Sequence, residues 1–227
     1  MKGEWHRRMR PLYTCALNRL FWRRCPNFAA CAIMVAITGS AIAATIEDPV
    51  GMINQGLSAA NRGDYATALR LWKPLAEQGY PAAEYNLGTM YREGNGVPRD
   101  YAEVVKWYRQ AGDQGFAAAR YNLGFMYDNG QGVTQDYGEA AKWYSLAAEQ
   151  GVAAAQYNLG KMYDKGQGVP RDAVQAYKWF DLAASRYLVS ERAERSRALR
   201  DRDNLAFKLT PAQLADAQKL VRLWRPN

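Results

Sequence analysis

Ala82-Ala83-Glu84-Tyr85-Asn86-Leu87-Gly88 returns as Ala118-Ala119-Arg120-Tyr121-Asn122-Leu123-Gly124 and as Ala154-Ala155-Gln156-Tyr157-Asn158-Leu159-Gly160, each time 36 residues on. The step extends beyond the heptapeptide: Tyr91, Tyr127 and Tyr163 keep it, as do Trp107, Trp143 and Trp179, and Gly79, Gly115 and Gly151. So many agreements over three ungapped copies mark a repeat architecture, in which each unit buries its apolar side only against its neighbours.

Within a copy the period is helical. Ala83, Leu87, Met90 and Tyr91 fall at i, i+4, i+7 and i+8, one face of a helix over Ala82 to Arg92. Gly94, Gly130 and Gly166 follow, where glycine takes the left-handed conformation that closes a helix. A second helix is predicted from Asp100, Asp136 or Asp172, with Glu103, Glu139 or Gln175 three residues on, the spacing of a reciprocal capping box. Upstream, Met52 to Asn61 and Asp64 to Gln78 form a further pair, aligned through Asn54 and Gly56 but with a loop four residues shorter. After Ser185 the pattern fails: Tyr187, Arg195 and Ser196 stand where Gly, Leu and Gly are due. A charged helix from about Leu188 to Ala206 is predicted there. A last helix opens at Thr210-Pro211, its stripe of Leu214, Ala217, Leu220, Val221 and Trp224 suited to covering the final repeat.

The fixed positions, Leu-Gly-x-x-Tyr, Gly-x-Gly-Val, Asp, a small residue, Trp-Tyr and Gln-Gly at a 36-residue period, resemble the SEL-1-like (SLR) repeat family, relatives of tetratricopeptide repeats. The resemblance covers about Asp64 to Ser185 and implies an all-α fold, an α/α solenoid (superhelix) whose concave face serves as an adaptor for proteins or peptides. Some secreted members are disulfide-rich and linked to β-lactam binding or hydrolysis, a branch this chain matches poorly. The expected organisation is a signal peptide over 1–43, a first, tetratricopeptide-like pair over 44–81, repeats over 82–117, 118–153 and 154–186, and capping helices over 187–227.

The leader reading rests on a basic head, an uncharged apolar stretch from Phe28 to Thr38 and the small-x-small end Ala41-Ile42-Ala43. The apolar run is shorter than the roughly 20 residues of a membrane span. An uncleaved anchor is the rival reading, and contact with a membrane is expected only in that case. The expected location is periplasmic or secreted. Seven of the 30 basic residues and one of the 22 acids lie in 1–43, leaving 23 against 21, so the whole-chain excess of +8 says nothing about nucleic acid, and none is expected as a partner. The same segment holds Cys15, Cys25, Cys31 and His6, the only cysteines and histidine. The remainder has no thiolate nucleophile, no imidazole base and few ligands for zinc, iron or copper, so no cofactor, metal or catalysis is expected.

Candidate binding positions are those that vary between copies beside constant neighbours: Thr89, Phe125 and Lys161, and Arg92, Asp128 and Asp164. Phe125 reads either as an exposed aromatic anchor or as a half-buried ring in a neighbour contact. The ladder Asn54, Asn86, Asn122 and Asn158 offers amides that grip a peptide backbone or bond within the stack, and Tyr85, Tyr121 and Tyr157 share that ambiguity. The expected site is Asn86, Thr89, Arg92, Tyr121, Asn122, Phe125, Asp128, Asn158, Lys161 and Asp164, on a monomer that holds a protein or peptide. The alternative is a cell-envelope hydrolase or β-lactam-binding protein; Asp128 and Asp164 would be its carboxylates, but on an open surface nothing separates their pKa values. The arginine run Arg192, Arg195, Arg197, Arg200 and Arg202 is read as a solvated helix face.

Overall fold

The computed structural model describes residues 48–226; the signal-peptide reading for 1–43 falls outside the described residues. From Pro49 onward the chain packs as one unit. Its ten helices are α1 (Pro49–Asn61), α2 (Tyr65–Glu77), α3 (Pro81–Glu93), α4 (Tyr101–Asp113), α5 (Ala117–Asn129), α6 (Tyr137–Glu149), α7 (Ala153–Lys165), α8 (Ala173–Arg186), α9 (Arg192–Ala206) and α10 (Pro211–Leu223), with no strand among the described residues. Helices α1 to α8 pair as hairpins, and each second helix packs on the first helix of the next pair, which makes an α/α solenoid. Both α9 and α10 pack on α8 and cover the end of the stack.

The repeated residues build the contacts between layers. Leu87, Leu123 and Leu159 are buried, as are Trp107, Trp143 and Trp179. The glycine after each leucine lies under an aromatic ring of the second helix. A Cβ on Gly88 would come within 2.8 Å of Tyr108, on Gly124 within 2.6 Å of Tyr144, and on Gly160 within 2.8 Å of Phe180. Gly56 meets the indole of Trp72 in the same way. Any side chain there would displace a ring at the centre of the layer.

Gly94, Gly130 and Gly166 end their helices in the left-handed conformation, with φ of 75°, 67° and 69°. The valine of each Gly-x-Gly-Val loop, Val97, Val133 or Val169, tucks against a core cluster.

The predicted capping boxes are half formed. Asp100 Oδ1 accepts from the amides of Ala102 at 2.9 Å and Glu103 at 3.2 Å, and Asp136 and Asp172 do the same at their own helix starts. The return bond is missing because the N-cap amides are already used: Asp100, Asp136 and Asp172 donate to the carbonyls of Tyr91, Tyr127 and Tyr163, closing each interhelix loop. Glu103 instead accepts from Trp107 Nε1 at 2.8 Å and pairs with Lys106. Among the described residues only Thr210 and Gln213, at the head of α10, make the reciprocal box. Alanine at Asp136 therefore costs the two N-terminal bonds alone, and urea unfolding should show a loss of about 1 kcal/mol, within roughly 0.5–2.

The charged helix begins at Arg192, not near Leu188. The backbone amide of Leu188 donates to Glu191 Oε2 at 2.8 Å, so residues 188–191 form a turn rather than a helical start.

One variable position of the heptapeptide is core. Glu84 is 2% exposed and Gln156 fully buried. Each copy solves the same junction with a different residue: Gln114 Nε2 donates to Glu84 Oε2 at 2.9 Å, Arg120 Nε donates to Gly112 O at 2.8 Å, and Gln156 Nε2 donates to Ala148 O at 3.0 Å. Burial pushes the Glu84 carboxyl above its ordinary range, and the Gln114 bond opposes this in part. A raised folded-state value means that stability is full below the unfolded value and falls as pH rises through the raised one. Glu84→Gln keeps an acceptor for Gln114 and removes the titration. Urea midpoints at about pH 4 and about pH 7 should fall for the wild type relative to that variant as pH rises.

Candidate functional site

The positions picked out above lie on α3, α5 and α7, the first helices of the three full repeats, and α5 and α7 also touch each other directly. Tyrosines form the floor. Tyr85 stacks on Tyr108 with ring centres 5.4 Å apart and leans on Phe116 at 5.0 Å; Tyr121 meets Tyr144 at 5.9 Å, and Tyr157 meets Phe180 at 5.5 Å.

Above this floor the three copies diverge. Thr89 is turned to its own repeat: Oγ1 donates to Tyr85 O and lies 3.0 Å from Tyr108 Oη. Phe125 is 41% exposed, although Gly124 and Met126 on either side of it are buried. Lys161 lies over the Tyr157 ring at 5.8 Å. Arg92 pairs with Glu93 at 3.0 Å. Asp128 accepts a long hydrogen bond of 3.5 Å from Tyr144 Oη, whose pKa is pushed up first by burial and then by that carboxylate.

The asparagine ladder splits. Asn158 reaches back to the Tyr144 hydroxyl of the preceding repeat. Asn86 and Asn122 are half-buried, and their amides have no side-chain or backbone partner among the described residues. Asn54 is exposed, on the first, shorter pair.

The cap also contributes, which sequence reasoning missed. Tyr157 Oη donates to Asp201 Oδ2 at 2.8 Å, and burial followed by that bond raises the Tyr157 pKa. Between α7, α8 and α9 lies a cleft of about 230 Å³ lined by Tyr157, Lys161, Asp164, Lys165, Phe180, Asp201, Asn204, Leu205 and Lys208. The arginine run of the tail was the one sequence signal, but helix 192–206 breaks the repeat and has no internal counterpart to align. Arg192, Arg195, Arg197 and Arg200 are exposed. Arg202 differs: it is half-buried and bonded to Asp181 at 2.8 Å and to Asp203.

Among the described residues no three His, Cys, Asp or Glu side chains cluster as metal ligands, and no helix is long and apolar enough to cross a membrane.

No curated protein matches this sequence. Among solved structures, the chain is similar to c5321, a protective antigen of uropathogenic Escherichia coli with an SLR fold, at 28% identity and a TM-score of 0.52, over 78% of this chain and 45% of that one. It is also similar to a Sel1 repeat protein from Oxalobacter formigenes, at 38% identity and a TM-score of 0.58, over 63% of this chain and 43% of that one. The chain thus spans less than half the length of either structure. The Sel1 repeat model matches residues 52–80, 81–116, 117–152 and 153–187, one span for each helix pair. With four such repeats across most of its described length, the chain belongs to the Sel1 repeat family.

Proposed function

We propose that this protein is an exported, monomeric adaptor that holds an extended protein or peptide segment along the first-helix face of its repeats. One observation carries the reading: Phe125 stands open in the middle of that face while the residues on both sides of it are locked in the core. Gly124 is held beneath Tyr144, so the helix has no freedom to roll Phe125 inward. An outward aromatic that costs little entropy to order is a typical energetic anchor. Asn122, next to the anchor, supplies both a donor and an acceptor for a bound backbone. Holding through such groups requires no catalytic side chain. Export is supported by the basic head, apolar middle and small-x-small end of 1–43.

The test is a random-peptide display library panned against the full chain. Peptides that bind should lose about tenfold or more in affinity on the double change Phe125→Ala and Asn122→Ala, since one good anchor carries about 2 kcal/mol or more. The melting temperature of that variant should stay within a degree or two of wild type, because neither side chain is in the core. Unchanged binding, or a collapse in melting temperature, would place these residues elsewhere than in a ligand site.

A further inference from the structure

We infer that the cleft at the cap end of the first-helix face is a subsite for an acidic group of the bound segment, which fixes its direction along the repeats; this rests on the adaptor reading above. The cleft between α7 and α9 brings together three ammonium groups, Lys161 and Lys165 from repeat 3 and Lys208 from just beyond α9. None of the three takes part in an ion pair among the described residues, although Lys106 and Lys142 on the neighbouring second helices do. Two carboxylates share the cleft. Asp201 is committed to the Tyr157 hydroxyl, and Asp164 lies on α7 without closing on any of the lysines. Arg197 adds a further positive field at Tyr157.

The balance is positive, and the position is what makes it useful. Lys161 occupies in repeat 3 the place that Phe125 holds in repeat 2. A segment anchored by an apolar side chain at Phe125 and running toward the cap meets the lysines one repeat later. The fitting peptide therefore carries an apolar residue followed, further along, by Asp, Glu or a terminal carboxylate. Asn204, also in the cleft, offers an amide donor to the same oxygen atoms. At the opposite end Arg92 is already paired with Glu93, so the two ends of the first-helix face are electrostatically unlike. A carboxylate held by two or three ammonium groups is a charge-assisted contact, stronger than a neutral hydrogen bond and sensitive to salt.

The peptides selected from the display library decide this. They should carry Asp or Glu, or a free C-terminus, at a fixed spacing from an apolar residue. A fluorescein-labelled copy of one of them should bind about tenfold more weakly to Lys161→Glu/Lys208→Glu than to wild type, and the loss should shrink as salt rises. The variant must melt like wild type; Lys208 is exposed and Lys161 half-buried, so Lys161→Gln/Lys208→Gln gives a milder second reading should charge reversal disturb the cap. Inorganic phosphate added as competitor separates the sources of the anion: displacement of the peptide at millimolar phosphate would show a phosphate site and overturn the carboxylate assignment. Peptides that need Phe125 but show no acidic preference, and bind the lysine variants unchanged, would overturn this inference and leave the adaptor reading standing. If no peptide depends on Phe125 either, both fall.

Discussion

Valine in place of Gly124 should cost more than any surface change in the molecule, on the order of 3 kcal/mol, the upper end for an overpacked core. The ring atoms of Tyr144 lie 2.6, 2.8 and 2.9 Å from where the first added carbon would sit. Tyr144 is fully buried and cannot swing aside without opening the layer formed with α7. The backbone is helical, so the cost comes from contact and not from strain. Alanine at the same position should cost less than valine. Combining Gly124→Ala with Tyr144→Ala should cost less than the sum of the two single changes, because each relieves the contact that penalises the other. Urea unfolding of the four proteins measures this, and strict additivity would place the ring elsewhere.

Trp143→Ala is the second large effect, a loss of about 3–5 kcal/mol. The indole sits in one cluster with Val104, Tyr108, Ala111 and Leu123, joining repeat 1 to repeat 2. In a stack where each layer is stabilised only by its neighbours, weakening one junction uncouples the two sides. Thermal unfolding should therefore broaden or split into two transitions, which calorimetry would resolve. Trp143→Phe should be mild by comparison. The Trp143 Nε1 group is buried with no protein partner, whereas Trp107 Nε1 donates to Glu103, so phenylalanine at 143 forfeits no hydrogen bond and at 107 it does.

The solenoid was legible because its determinants are local and repeated. Helix period, closing glycines and N-cap aspartates each occur three times in register, so Leu87, Leu123 and Leu159 identify the core side without any structure. Variation between copies is not by itself a sign of exposure: Phe125 is exposed, whereas Glu84, Arg120 and Gln156 also vary and are wholly or partly buried. Those three differ in sequence yet do the same work, because a carboxylate, a guanidinium and an amide can each satisfy a polar group at the same junction. Thr89 shows the same effect more weakly, with its hydroxyl engaged by Tyr108. The capping boxes failed for a long-range reason: the N-cap amide of Asp100 is taken by Tyr91, nine residues back, which a three-residue spacing rule does not see. The cap cleft was illegible for want of periodicity. Asp201, Asn204 and Lys208 come near Tyr157 only through the way α9 crosses α8.

A photoreactive benzophenone residue placed at position 125, and separately at position 142, tests most directly whether the first-helix side is the one that holds a partner. Lys142 is on α6, a second helix, and its side chain is exposed. Irradiation of living cells should give a discrete crosslinked adduct from position 125 and none from position 142. Adducts from position 142 alone, or from neither position, would contradict the claim that the first-helix face around Phe125 is where this protein works.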